Sequence, residues 1–168
     1  YQALGGDWAN ATSEHNLALG NGTMAGVMND ANYNIGIGTD ALAALTTGDN
    51  NTAVGYQALT ANTTGSNNTA VGYLAADALV EGAQANTAIG SYALGAGNND
   101  ATHDNTCVGY SAGGAILDGY KNTLIGYNAD AHDTDGFNQT CIGHDTQGIA
   151  NNSVVLGDGN VTAVYMAD

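Results

Sequence analysis

The sequence predicts an all-β chain, a parallel β-solenoid of about nine short coils, each about 14 to about 19 residues long. Three observations predict this fold. A glycine recurs at a nearly constant interval, an aliphatic residue precedes each of these glycines, and a small residue follows three positions later in almost every coil. The segment NTAVGYQAL at 51–59 returns as NTAVGYLAA at 68–76 and as NTAIGSYAL at 86–94. Repetition at a fixed short period is the sequence signature of stacked structural units.

The repeat glycines fix the coil boundaries. They are Gly20, Gly38, Gly55, Gly72, Gly90, Gly109, Gly126, Gly143 and Gly157. Successive members differ in position by 18, 17, 17, 18, 19, 17, 17 and 14. Because YQAL at 1–4 copies 56–59, we expect a tenth coil that begins upstream. Residues 1–158 are therefore assigned to the solenoid, and 159–168 to an exit segment leading towards a following fibre or stalk region.

The aliphatic column before the glycines is predicted to be the structural core of the repeat. Its members are Leu19, Ile37, Val54, Val71, Ile89, Val108, Ile125, Ile142 and Leu156. Alternate residues of a strand share a face, so the threonines two positions earlier, such as Thr52 and Thr69, should line the interior with this column or cap its edge. The residues between them, such as Ala53, lie on the other face.

Both faces of each predicted strand are apolar or small, and this points to self-association. One face can fill the coil, and the other then needs a partner. So thin a solenoid is marginal alone. Closed symmetry around an axis would bury the second face without open-ended aggregation. The sequence therefore predicts a closed assembly of identical chains.

Composition and charge exclude several classes of partner. Only 10% of the residues are charged, the net charge is -15, and Lys121 is the single Lys or Arg. Nucleic acids and anionic membranes bind clustered basic residues, so neither is an expected partner. No apolar run is long enough for membrane insertion as a helix. Cys107 and Cys141 occupy one column two coils apart, about 9.6 Å, which is too far for a disulfide and predicts buried free thiols.

The segment Asn152-Ser153-Val154-Val155-Leu156-Gly157 resembles the head repeat of trimeric autotransporter adhesins, the YadA-like head. The resemblance extends from Tyr1 to about Asp158. It implies a trimeric left-handed parallel β-roll at the tip of a surface fibre that binds host matrix or cell surfaces. The longer coils containing Asn-Thr-Ala-Val-Gly-Tyr are also similar to repeats of bacteriophage and viral tail-fibre proteins.

We therefore expect a non-catalytic, extracellular fibre segment on a cell surface or virion. It would act as a structural rod and bind a host-cell surface glycan or protein receptor. A purely structural surface filament remains an alternative. A hexapeptide-type acyltransferase fits less well, because Val54–Leu59 supplies one hexapeptide where three in tandem are needed, and the histidines have no partner motif. An ice-binding solenoid is a further alternative, suggested by the threonine ladder.

Candidate binding residues form one aromatic column directly after the glycines: Tyr56, Tyr73, Tyr110 and Tyr127, with His144 in the same column. These rings either stack between coils or present a platform for a ligand. Irregular loops at 7–14, 23–32, 98–104 and 130–137 are further candidates. Acidic clusters at Asp130–Asp135 and Asp100–Asp104 offer oxygens that suit Ca²⁺. We interpret them as turn formers, and expect neither a metal nor another cofactor.

Overall fold

The computed structural model describes residues 13–97 and 102–161. These ranges form one sheet of nine parallel strands stacked in sequence order, which confirms the predicted β-solenoid. The strands are β1 (Leu17–Leu19), β2 (Ile35–Ile37), β3 (Thr52–Val54), β4 (Thr69–Val71), β5 (Thr87–Ile89), β6 (Thr106–Val108), β7 (Thr123–Ile125), β8 (Thr140–Ile142) and β9 (Val154–Leu156). Residues 13–97 and 102–161 contain no helix, and so none that could cross a membrane. The proposed tenth coil at 1–4 and most of the exit segment lie outside the described residues.

The strands pair without any shift between the repeat columns. Thr52 pairs with Thr69, Ala53 with Ala70 and Val54 with Val71, and the same columns continue on either side. At about 4.8 Å for each strand spacing, the nine strands extend roughly 40 Å along the rod. Identical or similar side chains therefore stack into ladders along its length.

The core of the chain lies behind the middle residue of each strand. Ala53, Ala70 and Ala88 are fully buried there, as are Cys107 and Leu124. Larger core side chains come from the turns beyond the strands. They include Met24, Leu42, Leu45, Leu59, Leu79, Leu94 and Ile116. The small residue three positions after each of the first eight repeat glycines is also buried, so a small side chain at this position lets the turn close over the strand.

The aliphatic column before the glycines is not the core of the single chain, which corrects the prediction. Leu19 is 64% exposed and Ile89 is 40% exposed, whereas the residue between the Thr and aliphatic columns is buried in β2 to β8. The reason is space: the narrow coil accepts Ala or Cys in most coils on the inward side of the strand, and leaves most of the larger aliphatic side chains outside. The threonines lie half-buried on the same side as this column, so they do not line the interior, which leaves the alternative that they cap its edge. We call the first and third residues of the nine strands the outer face.

A ladder of amides, buried except at its half-buried first member, runs along the rod immediately before the strands. Its members are Asn16, Asn34, Asn51, Asn68, Asn86, Asn105, Asn122 and Gln139. Asn105 is typical: its backbone N–H and its side-chain amide both donate to Asn86 Oδ1 at 3.1 Å, and the amide also donates to the Gly119 carbonyl at 2.8 Å. Each amide thus joins three successive coils.

The bends of each coil depend on left-handed backbone. Gly72, which follows β4, has φ +145°, and a Cβ there would lie 2.5 Å from the Gly90 carbonyl oxygen of the next coil. Non-glycine residues also adopt positive φ, and the residue before each ladder amide does so in every described coil. These residues are His15, Tyr33, Asn50, Asn67, Ala85, Asp104, Lys121 and Asn138. Asn and Asp tolerate this conformation better than most residues, which accounts for part of their abundance.

Cys107 and Cys141 are buried, unpaired thiols, as predicted. Both stand in the inward column, and Leu124 pairs with each of them from the coil between. Burial raises the pKa of both thiols, with a smaller contribution from the nearby Asp130 carboxylate.

Candidate binding surface

The predicted tyrosine column forms an aromatic ladder along the rod. The rings of Tyr56 and Tyr73 stack with centroids 5.4 Å apart, and those of Tyr110 and Tyr127 stack at 5.3 Å. His144 continues the ladder 5.0 Å from Tyr127. Stacking between coils is therefore confirmed, while a role for these rings in binding stays a prediction.

Tyr92 joins the same ladder, although sequence analysis did not include it. The column position in its coil is taken by Ser91, and Tyr92 comes from the next residue, which has φ 59°. Its ring turns edge-on to its neighbours, with an interplanar angle of 74° to Tyr73 and 71° to Tyr110. The ladder is therefore continuous from Tyr56 to His144, with one ring rotated near its middle.

A groove of about 360 Å³ opens beside the rotated ring. Tyr92 and Tyr110 line it, together with Asp77 and Ser111 and with small residues of the turns beyond the strands. Tyr92 is 40% exposed and Tyr110 is 50% exposed, so both rings can be reached from solvent. This groove combines aromatic surface with a carboxylate and a hydroxyl.

The electrostatics of the groove follow from partial desolvation. Burial raises the pKa of Asp77, against the opposing effect of hydrogen bonds from the backbone N–H groups of Asp77 and Ala78. Desolvation also raises the pKa of Tyr92, and the neighbouring Tyr73 acts in the same direction. The Asp77 carboxylate is therefore a partly desolvated hydrogen-bond acceptor.

The outer face is the second surface with functional potential. Its threonine and aliphatic ladders run side by side, and many of its large aliphatic side chains are exposed. These exposed residues are Leu17, Leu19, Ile35, Val71, Ile89, Ile125, Ile142, Val154 and Leu156. A contiguous apolar strip of this kind is a frequent mark of an interaction surface.

A second aromatic ladder was missed by sequence analysis. His103 stacks on Tyr120 at 5.0 Å, and Tyr120 stacks on Phe137 at 5.1 Å. The amine of Lys121 lies 5.7 Å from the centre of the Tyr120 ring, within the range of a cation–π contact. Each ring comes two residues before a ladder amide, so the repeat register held the signal that would have identified this column.

The acidic loop at 130–137 has a structural role at its first residue. Asp130 accepts hydrogen bonds from the backbone N–H of Ala115 in the preceding coil and from that of Ala131, both at 2.9 Å. Burial raises the pKa of Asp130, opposed by these two hydrogen bonds. Within residues 13–97 and 102–161, no group of three or more His, Cys, Asp or Glu side chains could hold a metal ion.

The histidines considered for catalysis lie apart from one another in the fold. His103 Nδ1 lies 3.0 Å from Asp104 Oδ2, and His144 Nδ1 lies 3.0 Å from Asp145 Oδ2. His132 and His15 face Asp133 and Glu14 in the same manner. Each contact joins sequence neighbours on the surface. The candidate loops at 7–14 and 98–104 lie largely outside the described residues.

No protein-family model matches this chain, and no match was found among curated proteins or solved structures.

Proposed function

We propose that this chain is a non-catalytic segment of an extracellular fibre, on a cell surface or virion, that assembles as a homotrimer and presents a receptor-binding surface. The observation that carries the proposal is the exposed outer face, on which aliphatic side chains extend along all nine strands. The partner is a second and third copy of the same chain. The recognition surface is the aromatic ladder, and its partner is a host-cell glycan or protein.

Energetics favour covering the outer face. Burial of a Val, Leu or Ile side chain that would otherwise be exposed stabilises by about 1.5–3 kcal/mol. Every coil contributes an aliphatic side chain to the outer face, so the stabilisation from even partial burial would add up along the rod. Three identical rods around one axis bury their faces together and leave no exposed apolar face for further growth.

Charge opposes the same assembly. Each chain carries a net charge of -15, so three chains packed side by side repel each other at low ionic strength. Salt screens such repulsion, with a Debye length of about 8 Å at physiological ionic strength. We therefore expect the trimer to be more stable at high salt.

The test is the native mass in solution, measured by light scattering after gel filtration at low and high salt. A trimer should show three times the 16.8 kDa of the single chain. The same preparation is then assayed for adhesion to a panel of cell and matrix surfaces. A monomer at every salt concentration would contradict the assembly. A trimer that adheres to no surface would favour the purely structural filament.

An ice-binding function is a second candidate, and the partial exposure of the threonine ladder favours it. Thr52, Thr69, Thr87, Thr106, Thr123 and Thr140 form a regular ladder on the outside of the rod. Such a face can bind ice only if it is not covered by other chains. A stable monomer with thermal hysteresis that is lost in Thr87→Lys would therefore replace the trimer proposal. A trimer without hysteresis would exclude ice binding.

A further inference from the structure

The groove beside Tyr92 exists because two successive coils lack a side chain at the same position. Five residues after the repeat glycine stands Asp77 in one coil, Gly95 in the next and Gly114 in the third. A Cβ on Gly95 would lie 3.3 Å from Asp77 Oδ1, and a Cβ on Gly114 would lie 2.6 Å from Ser111 Oγ. The absence of a Cβ at the two glycines therefore lets the carboxylate of Asp77 and the hydroxyl of Ser111 line the groove.

The rotation of Tyr92 adds aromatic surface to this space. Its ring meets that of Tyr110 at 71°, with centroids 5.8 Å apart, so the two rings form a corner. A planar or puckered ring placed in the groove can pack against the exposed tyrosine surface while its polar edge reaches Asp77 and Ser111.

We infer that this groove is the receptor subsite of the aromatic ladder and that its ligand is a neutral saccharide unit of a glycan. The C–H face of a pyranose packs on aromatic rings, and its hydroxyls donate to a carboxylate and exchange hydrogen bonds with Ser111 and the tyrosine hydroxyls. The volume of about 360 Å³ falls within the range of small-ligand sites and has room for one or two such rings.

Charge and size select this ligand among the alternatives. Acidic sugars are disfavoured because Asp77 lies in the groove and the chain carries a net charge of -15. A small ammonium group suits aromatic rings and a carboxylate, but it would fill only a fraction of the groove. The groove residues also lie outside the nine strands, so a trimer formed through the outer face does not use them.

This inference rests on the proposed receptor-binding function, and the test separates the two. The intact chain is screened on an array of neutral oligosaccharides, and the strongest binder is titrated by calorimetry against wild type, Asp77→Asn, Tyr92→Ala and Gly95→Leu. The matched control is Thr60→Leu, because Thr60 holds the Gly95 position in another coil. Native mass and circular dichroism establish that each variant is folded.

We expect all three groove variants to weaken binding at least tenfold and Thr60→Leu to bind as wild type does. The inference is overturned if wild type binds no neutral oligosaccharide, if Gly95→Leu binds unchanged, or if tetramethylammonium chloride displaces the sugar at matched ionic strength. Adhesion to cell surfaces is measured in parallel. Adhesion that survives the groove substitutions rejects the subsite but keeps the proposed function, whereas sugar binding without adhesion to any surface rejects that function and keeps the subsite.

Discussion

Asn51 Oδ1 accepts two hydrogen bonds from Asn68 in the next coil, one from the backbone N–H at 3.0 Å and one from the side-chain amide at 3.2 Å. Asn68 Oδ1 receives the same pair from Asn86. Both asparagines are buried, so water cannot replace these bonds. The amide ladder therefore aligns each coil on its neighbours at the point where a strand begins.

Replacing Asn68 by Ala should lower the free energy of unfolding by about 1–3 kcal/mol. The change leaves the buried backbone N–H of Asn86 without an acceptor, and the cost of such an unpaired group has this magnitude. Urea unfolding followed by circular dichroism measures the loss. The control is Gln84→Ala, an exposed substitution in the next coil. Equal stability of the two variants would show that the ladder contributes nothing.

Gly72→Ala should destabilise the chain by at least about 2 kcal/mol. An L residue is strained at φ +145°, and its Cβ would collide with the backbone of the next coil, which cannot move without breaking strand pairing. Thermal unfolding measures the effect. Gly159→Ala is the matched control, because a Cβ there meets nothing within 4 Å. A Tm unchanged in Gly72→Ala would mean that the coils do not approach as closely as described.

Ile89→Asp should dissociate the proposed trimer into chains of 16.8 kDa. The substitution places a charge in the middle of the outer face, where assembly would have to desolvate it without a partner. Gln84→Glu is the control, since it adds the same charge to the same coil at an exposed position outside the strands. Light scattering reads the mass of both variants. If Ile89→Asp keeps the mass of the wild type, any assembly uses another surface.

The register of the fold followed directly from the sequence. The invariant column of an aliphatic residue before glycine gives every strand pair, because parallel coils of nearly equal length align their repeats. The sequence did not show which side of each strand faces inward. The alternation of side chains along a strand places Val54 and Ala53 on opposite faces but does not show which of the two is inside. Hydrophobicity alone favours burial of the larger side chain, that of Val54. The folded turns make the coil narrow, and this lack of space places the small side chain of alanine inside.

The candidate site was likewise predicted only in part. Tyr56, Tyr73, Tyr110 and Tyr127 stack as their shared column indicates. Tyr92 was missed because it stands one residue out of register, and only the three-dimensional path of its turn returns it to the ladder. The groove depends on the coincidence of that shift with Gly95 and Gly114, and no single repeat contains all three features.

The buried thiols predict a distinct dependence of stability on alkaline pH. Burial raises the pKa of Cys107 and Cys141 in the folded chain, while free thiols titrate near pH 8.5. Above that pH the unfolded chain loses protons that the folded chain retains, so the free energy of unfolding should fall by about 1.4 kcal/mol per pH unit for the fully buried Cys107, and Cys141 acts in the same direction. Urea unfolding at pH 7 and pH 9.5 measures the fall in the free energy of unfolding.

A double variant with Cys107→Ala and Cys141→Ala isolates the contribution of the thiols, because Ala already fills this column at Ala53, Ala70 and Ala88. Tyrosine ionisation affects both proteins alike, so parallel losses of stability would show that the thiols are not protected from solvent.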